Sequence, residues 1–367
     1  MNIGQVSRVL LLASVSMLPA SLHAQEVVRS PEYKGAIEKA ESAANEILTD
    51  QKIPGLAFAV AIDGKIVWSQ GFGSADVEKN VPVTPGTRFR IGSISKLFTA
   101  AAAAKLSEGG YLDLDAPIWP YVPGYPQKQF AITSRELLGH LAGIRHYGRD
   151  DYINQRHYDS VSESLGKFSG SPLMHKPGTK YSYSSPGYTL LGAVIEGVAK
   201  TNFTHYLQTN VFQPIGMKNT VPDDNREIIE NRSEFYSLTD GGRLQNAIYM
   251  DTSDRLPAGG FLSTAEDLAA FGTACALGDF FRPEMKKIVF TSQSTTEGKM
   301  TGVGFGWRIG KDSESRPIFH HGGDAIGGRA FLLIYPEEKI VLSFVSNLSF
   351  VKFNEKDAEK IAVLFTQ

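Results

Sequence analysis

Ser93 and Lys96 stand three residues apart in Arg90-Ile91-Gly92-Ser93-Ile94-Ser95-Lys96, shortly before an alanine run at 100–104. Alanine has high helix propensity, so a helix is predicted from about Ser93. On that helix Lys96 lies almost one turn on, roughly 4.5 Å along the axis and on the same face. A lysine so placed reaches the serine hydroxyl. The serine also sits at the positive, amide-rich end of the helix, where a developing anion is stabilised. A serine nucleophile needs these two things, a nearby base and an anion-friendly backbone. The spacing alone is better described by a capping serine and a surface lysine, and only partner residues elsewhere in the chain can reverse that weighting.

Two further stretches supply candidates. Tyr183 lies in Lys180-Tyr181-Ser182-Tyr183-Ser184-Ser185-Pro186-Gly187, just before a predicted helix. A phenol with a pKa of about 10 is a poor base at neutral pH, but a cation such as Lys96 can stabilise its anion or share its proton. His321 begins His321-Gly322-Gly323-Asp324 on a predicted strand, where glycines let the backbone approach a ligand. The Asp324 amide, or one beside it, can pair with the Ser93 amide to hold an oxyanion. Taken singly, Tyr183 reads as a loop-packing aromatic with Ser185 as N-cap, and His321 as a histidine at a strand end.

The elements that must position these residues are legible. Ser30-Pro31-Glu32 reads as N-cap, first-turn proline and acidic first turn, opening a helix to about Asp50. Two β-rich runs, 55–62 and 65–71, flank Asp63-Gly64 and predict a hairpin. Capping boxes are expected at Thr133 with Glu136 and at Thr264 with Asp267. Helices are predicted over 160–168, 185–200 and 202–212, strands over 302–309, 318–321, 330–335 and 340–346, and a last helix over 354–365. The expected architecture is α+β. An α/β lobe (about 25–90 and 295–367) has an antiparallel sheet flanked by terminal helices, with an all-helical lobe (about 91–294) inserted and a cleft between them.

Composition narrows the function classes. The chain has 367 residues, a net charge of −2 and no long charged run, which argues against a nucleic-acid surface. A single cysteine, Cys275, excludes an internal disulfide and a cysteine-rich metal site, and is expected to be a buried structural thiol. His140, His146 and His157 with Asp150 and Asp151 fit no zinc spacing, so loop packing is expected of them, and of His320 a structural place on the opposite strand face. Neither a metal nor an organic cofactor is expected. Arg8, an apolar run at 9–18 and a small-residue stretch ending at Ala24 read as a signal peptide, residues 1–24. The expected mature chain is periplasmic or secreted, without stable membrane insertion, and acts on a small molecule or peptide as a monomer or homo-oligomer.

Together the motifs run in the order S-x-x-K, Tyr-Ser before a helix, Pro257-Ala258-Gly259-Gly260 with Ser263-Thr264, then His-x-Gly on a late strand. This ordered set resembles the serine β-lactamase and penicillin-binding-protein superfamily, in its class C β-lactamase-related branch. The runs Gly143-Ile144-Arg145-His146-Tyr147 and Gly259-Gly260-Phe261-Leu262-Ser263-Thr264 are similar to those of the mitochondrial serine β-lactamase-like proteins. The resemblance covers about residues 33–350 and implies the β-lactamase/transpeptidase-like fold. It also implies that Ser93 is acylated, Lys96 helps deprotonate it, and Tyr183 acts as general base and proton relay. His321, Gly323 and Asp324 would shape the oxyanion strand. Two positions depart from the pattern. Ser185 replaces a substrate-contacting amide, and His321-Gly322-Gly323 replaces a lysine-threonine-glycine triplet. Both weigh against efficient β-lactam hydrolysis. The expected activity is therefore peptide or ester hydrolysis. The alternatives are a β-lactamase or D-alanyl carboxypeptidase, and a non-catalytic or filament-forming scaffold.

Overall fold

The computed structural model describes residues 26–148 and 151–366, so the leader expected over 1–24 lies outside the described residues. Asp63 and Gly64 both take positive φ (49° and 82°), the requirement of a two-residue type I′ turn. That turn joins β2 (Gly55–Ile62) to β3 (Lys65–Asp76). Short strands β1 (Val28–Arg29) and β4 (Val81–Pro82) pair with β3. The C-terminal part adds β5 (Arg308–Lys311), β6 (Pro317–Ala325), β7 (Gly328–Tyr335) and β8 (Ile340–Ser346). Among the described residues these form an eight-stranded antiparallel sheet of order β1-β3-β2-β8-β7-β6-β5, with β4 on β3. The register Ile340↔Ile62 to Ser346↔Leu56 closes it, bringing the two ends of the chain into one sheet.

Both faces of this sheet are covered, so its central strands are buried along nearly their whole length. Alternation along β2 sorts its side chains. Phe58 and Val60 face α1 (Lys34–Asp50) and α5 (Glu355–Ala362), in a core with Trp68, Phe344 and Phe365. Ala57, Ala59 and Ala61 face the other way, into the larger core that contains α2 (Ser95–Glu108), α3 (Ser185–Ala199) and α4 (Ala265–Gly272). Their small side chains leave room for α4 to lie on the sheet. Helix α2 is buried all round from Ser95 to Ala104, as a helix through the middle of a large core must be. Lys96 is therefore carried into the interior.

Several expectations need adjusting. Of the 302–309 run only Arg308 and Ile309 are strand, the start of Arg308–Lys311, because Gly302 and Gly306 take positive φ and fold the preceding loop so that Phe305 and Trp307 enter the core. Thr133 and Glu136 form the reciprocal box. Thr264 caps α4, but the Asp267 carboxylate turns away to accept from Asn219 N at 2.8 Å and Thr220 Oγ1 at 2.8 Å. The mostly helical middle also carries a three-stranded sheet (Phe89–Arg90, Phe261–Ser263 and Val221–Pro222) and a hairpin (Tyr236–Leu238 with Leu244–Asn246). Cys275 is fully buried in this core.

Candidate active site

A strand, Phe89–Arg90, runs through Ile91 into a tight turn, Gly92–Ile94, that opens α2. This turn lies backbone to backbone against β6. A Cβ on Gly92 (φ 50°) would fall 2.5–2.8 Å from the Asp324 backbone, and one on Gly323 would fall 1.9 Å from Ile91 O. Only glycine fits either place, and the contact puts the Ser93 amide beside the amides of β6. Ser93 Oγ accepts from Lys96 Nζ at 3.0 Å and from Tyr183 OH at 2.9 Å. Lys96 is fully buried, and its other hydrogen bond goes to Ala258 O at 2.7 Å. Burial first, then the Arg255 guanidinium, pull the ammonium pKa well below its ordinary value. Both effects favour the neutral amine over the ammonium beside Ser93.

Tyr183 enters from the turn before α3. Ser184 is the N-cap, accepting from Gly187 N at 2.9 Å, one residue earlier than expected. Burial pushes the Tyr183 phenol up to about 12, against the hydrogen bond to Ser93 and the charge of Arg308. It is therefore a donor at neutral pH. His140 packs on its ring at 4.4 Å between centroids and His146 meets it edge-on at 5.5 Å and 90°. His321 is buried 6.4 Å from the Tyr183 ring, with Nδ1 2.6 Å from Gly322 O. Burial, then Lys96 and Arg308, hold its pKa well below the usual value, so it carries no charge at neutral pH.

These groups open into a cavity of about 540 Å³ lined by Ser93, Tyr183, Ser185, His321 and Asp324. Gly323 supports the wall through its backbone contact rather than lining it. The Asp324 carboxylate turns to Arg329 at 2.7 Å, leaving its backbone toward Ser93. His320 stacks on Phe331 and places Nε2 3.0 Å from Glu355, the structural place expected of it, yet it too borders the cavity. Burial lowers its pKa to about 4. Sequence reading missed Arg255 and Arg308 on the cavity wall, and assigned His140 and His146 only to loop packing. Nothing in the local sequence marks Arg255. It binds Asp254 at 2.7 Å and lies over Tyr147. His157 pairs with Asp251 at 3.0 Å, away from the other histidines.

The β-lactamase family model matches residues 38–365. The chain belongs to the β-lactamase family. Within it the chain is 31% identical to the human mitochondrial serine β-lactamase-like protein LACTB, over 91% of this chain and 80% of that protein. It is 26% identical to penicillin-binding protein 4* of Bacillus subtilis, over 77% of this chain and 66% of that one. The octameric penicillin-binding protein homologue from Pyrococcus abyssi superposes with a TM-score of 0.76 at 27% identity, over 89% of this chain and 77% of that chain. The family is one of serine hydrolases and penicillin-binding-protein-like proteins, and the α+β fold with its antiparallel sheet is the family's.

Proposed function

We propose that this chain is an exported serine hydrolase that cleaves peptide or ester bonds through an acyl-enzyme on Ser93. One observation carries the reading: Ser93 Oγ accepts at once from Lys96 Nζ (3.0 Å) and Tyr183 OH (2.9 Å), at the mouth of a cavity of about 540 Å³. With the Lys96 bond reversed, the lone pair of an unprotonated Lys96 takes the Ser93 proton as Oγ attacks the carbonyl carbon. The amides of Ser93 and Asp324 receive the oxyanion. Tyr183, protonated at rest, relays a proton to the leaving group and then activates the deacylating water. Lys96 thus makes the first proton transfer and Tyr183 the later ones. The neutral His321 and the Ser185 hydroxyl offer little to the carboxylate of a β-lactam, which favours peptides and esters.

Arg308 favours a second reading, a D-alanyl carboxypeptidase or β-lactamase. It is a permanent cation on the cavity wall whose charge reaches His321 and Tyr183. The proposal includes a leader over 1–24, a periplasmic or secreted location resting on Arg8 and the apolar run at 9–18, and the lobe division near 90 and 295. A homo-oligomer is proposed because the Pyrococcus relative is described as octameric.

Mass spectrometry after exposure to a mixed panel of peptides, esters and β-lactams tests the reading. An acyl adduct from an ester or peptide, absent in Ser93→Ala, is expected. Rapid β-lactam turnover with little ester or peptide cleavage would move the assignment to the second reading. A folded wild type that no probe acylates would leave a scaffold.

A further inference from the structure

The turn that carries Tyr183 is tied almost entirely to one loop, residues 139–148. Gly139 caps the helix Ser134–Leu138, and His140 follows in the left-handed region at φ 57°. From there the chain runs under the start of α3. Ser182 N donates to His140 O at 2.8 Å, and Ser184 Oγ donates to Arg145 O at 2.8 Å. Two more bonds go to imidazoles. Ser184 N donates to His140 Nδ1 at 3.1 Å, and Ser185 N donates to His146 Nδ1 at 3.3 Å. The residues on either side of Tyr183 are thus pinned, and its ring lies between the same two histidines.

We propose that His140 and His146 are positioning residues: by accepting the Ser184 and Ser185 amides through Nδ1 they hold the Tyr183 phenol on Ser93 Oγ. The inference rests on the acyl-transfer reading of Ser93 and adds what keeps its proton relay in place. A backbone N–H can donate only to an unprotonated Nδ1, so both rings must be neutral with the proton on Nε2. Their surroundings enforce this. His140 is buried and faces Lys96 on α2, His321 on β6, Arg308 on β5 and His146 in its own loop, with Tyr181, Tyr183 and Tyr188 packed round the ring. His146 faces Lys96 and the rings of Tyr147 and Tyr183. Burial leads, any charge on Lys96 and, at His140, the Arg308 guanidinium add to it, and both pKa values fall below the ordinary histidine value. Protonating either ring in acid turns an acceptor into a second donor facing an N–H, and the turn must shift.

The test is a series at both positions, His→Leu (which cannot accept) and His→Asn (which offers an oxygen near the place of Nδ1 and does not titrate). Acylation is read as the burst of p-nitrophenol from a p-nitrophenyl ester, from pH 5 to pH 9. Each leucine variant should lose roughly 10²-fold in burst rate, the scale of an ångström-sized misplacement, with KM within about twofold. Asparagine should recover most of that loss at pH 8. Leucine variants that acylate at the wild-type rate, or asparagine variants no faster than the leucine variants at pH 8, would overturn the proposal. If the leucine variants do not fold, the asparagine pair and the wild type still decide it. In ¹⁵N-histidine-labelled wild type at pH 7, both Nδ1 atoms should appear as unprotonated acceptors, and a protonated Nδ1 on either ring sinks the idea. That spectrum is independent of turnover. A wild type that never acylates while showing both acceptors would reject the acyl-transfer reading and leave the clamp standing.

Discussion

Replacing His320 with asparagine should flatten the acid side of the stability profile. His320 is buried and stacks on Phe331, and its pKa lies at about 4 rather than its ordinary 6.5, because burial and then the charge of Arg308 disfavour the imidazolium by more than the half-exposed Glu355 carboxylate at 3.0 Å favours it. The unfolded chain therefore binds a proton over a range where the folded chain does not. Stability then falls as pH drops below the unfolded value and stops falling near the folded one. For this ring alone the loss is about 2 kcal/mol at pH 5 and about 3 kcal/mol at pH 4, relative to pH 7.5. Against a typical total of roughly 5–15 kcal/mol, that loss is easily resolved. Urea unfolding of wild type and His320→Asn from pH 7.5 to 4 measures it. The wild-type curve should be steeper still, since His140, His146 and His321 are shifted the same way. The difference between the two proteins should grow by about 2 kcal/mol from pH 7.5 to 5. Parallel curves would show that His320 takes up its proton in the folded state as readily as in the unfolded chain, and the burial argument would fail.

Three other outcomes follow from the geometry. Tyr183→Phe removes the 2.9 Å bond to Ser93 while keeping the ring between its histidines, so the protein should fold normally and turn over at least ~10²-fold more slowly on an ester substrate. Gly323→Ala would put a methyl 1.9 Å from Ile91 O, so β6 must separate from the Ser93 turn. A drop in melting temperature and loss of Ser93 labelling by a fluorophosphonate should appear together. Arg90→Met deletes a buried guanidinium that binds Asp223 at 2.7 Å and Ile326 O at 2.9 Å. Because Asp223 keeps Arg232 at 2.7 Å, the cost in chemical denaturation should sit near the low end for a broken buried pair, about 3 kcal/mol.

Local signals carried much of the fold. Asp63-Gly64 specifies its hairpin because the turn needs two positive φ values, and few residue pairs supply them. Thr133 with Glu136 closes its box because both partners lie within one helical turn. Where a side chain had a distant competitor, the local signal failed. Asp267 has the spacing to complete a second box, yet its carboxylate is taken by Asn219 and Thr220, some fifty residues away in sequence. Gly302 to Trp307 alternates like a strand but turns, because burying Phe305 and Trp307 outweighs pairing there.

The candidate site divides in the same way. Ser93 and Lys96 were legible because a helical turn, tight or regular, keeps residues three apart on one side whatever surrounds it, and the order of the three motifs brought in Tyr183 and His321. Whether Lys96 is a surface cation or a buried amine with a lowered pKa depends on its enclosure by the core and on Arg255, more than 150 residues away. The sequence by itself determined the candidate groups for acyl-transfer chemistry and the helix that begins between two of them. Only the tertiary structure decided their protonation, the histidines that hold Tyr183 and the glycine contact that sets β6 against Ser93. Desolvation, hydrogen-bond competition and backbone approach are properties of elements brought together from distant parts of the chain, and no local pattern encodes them.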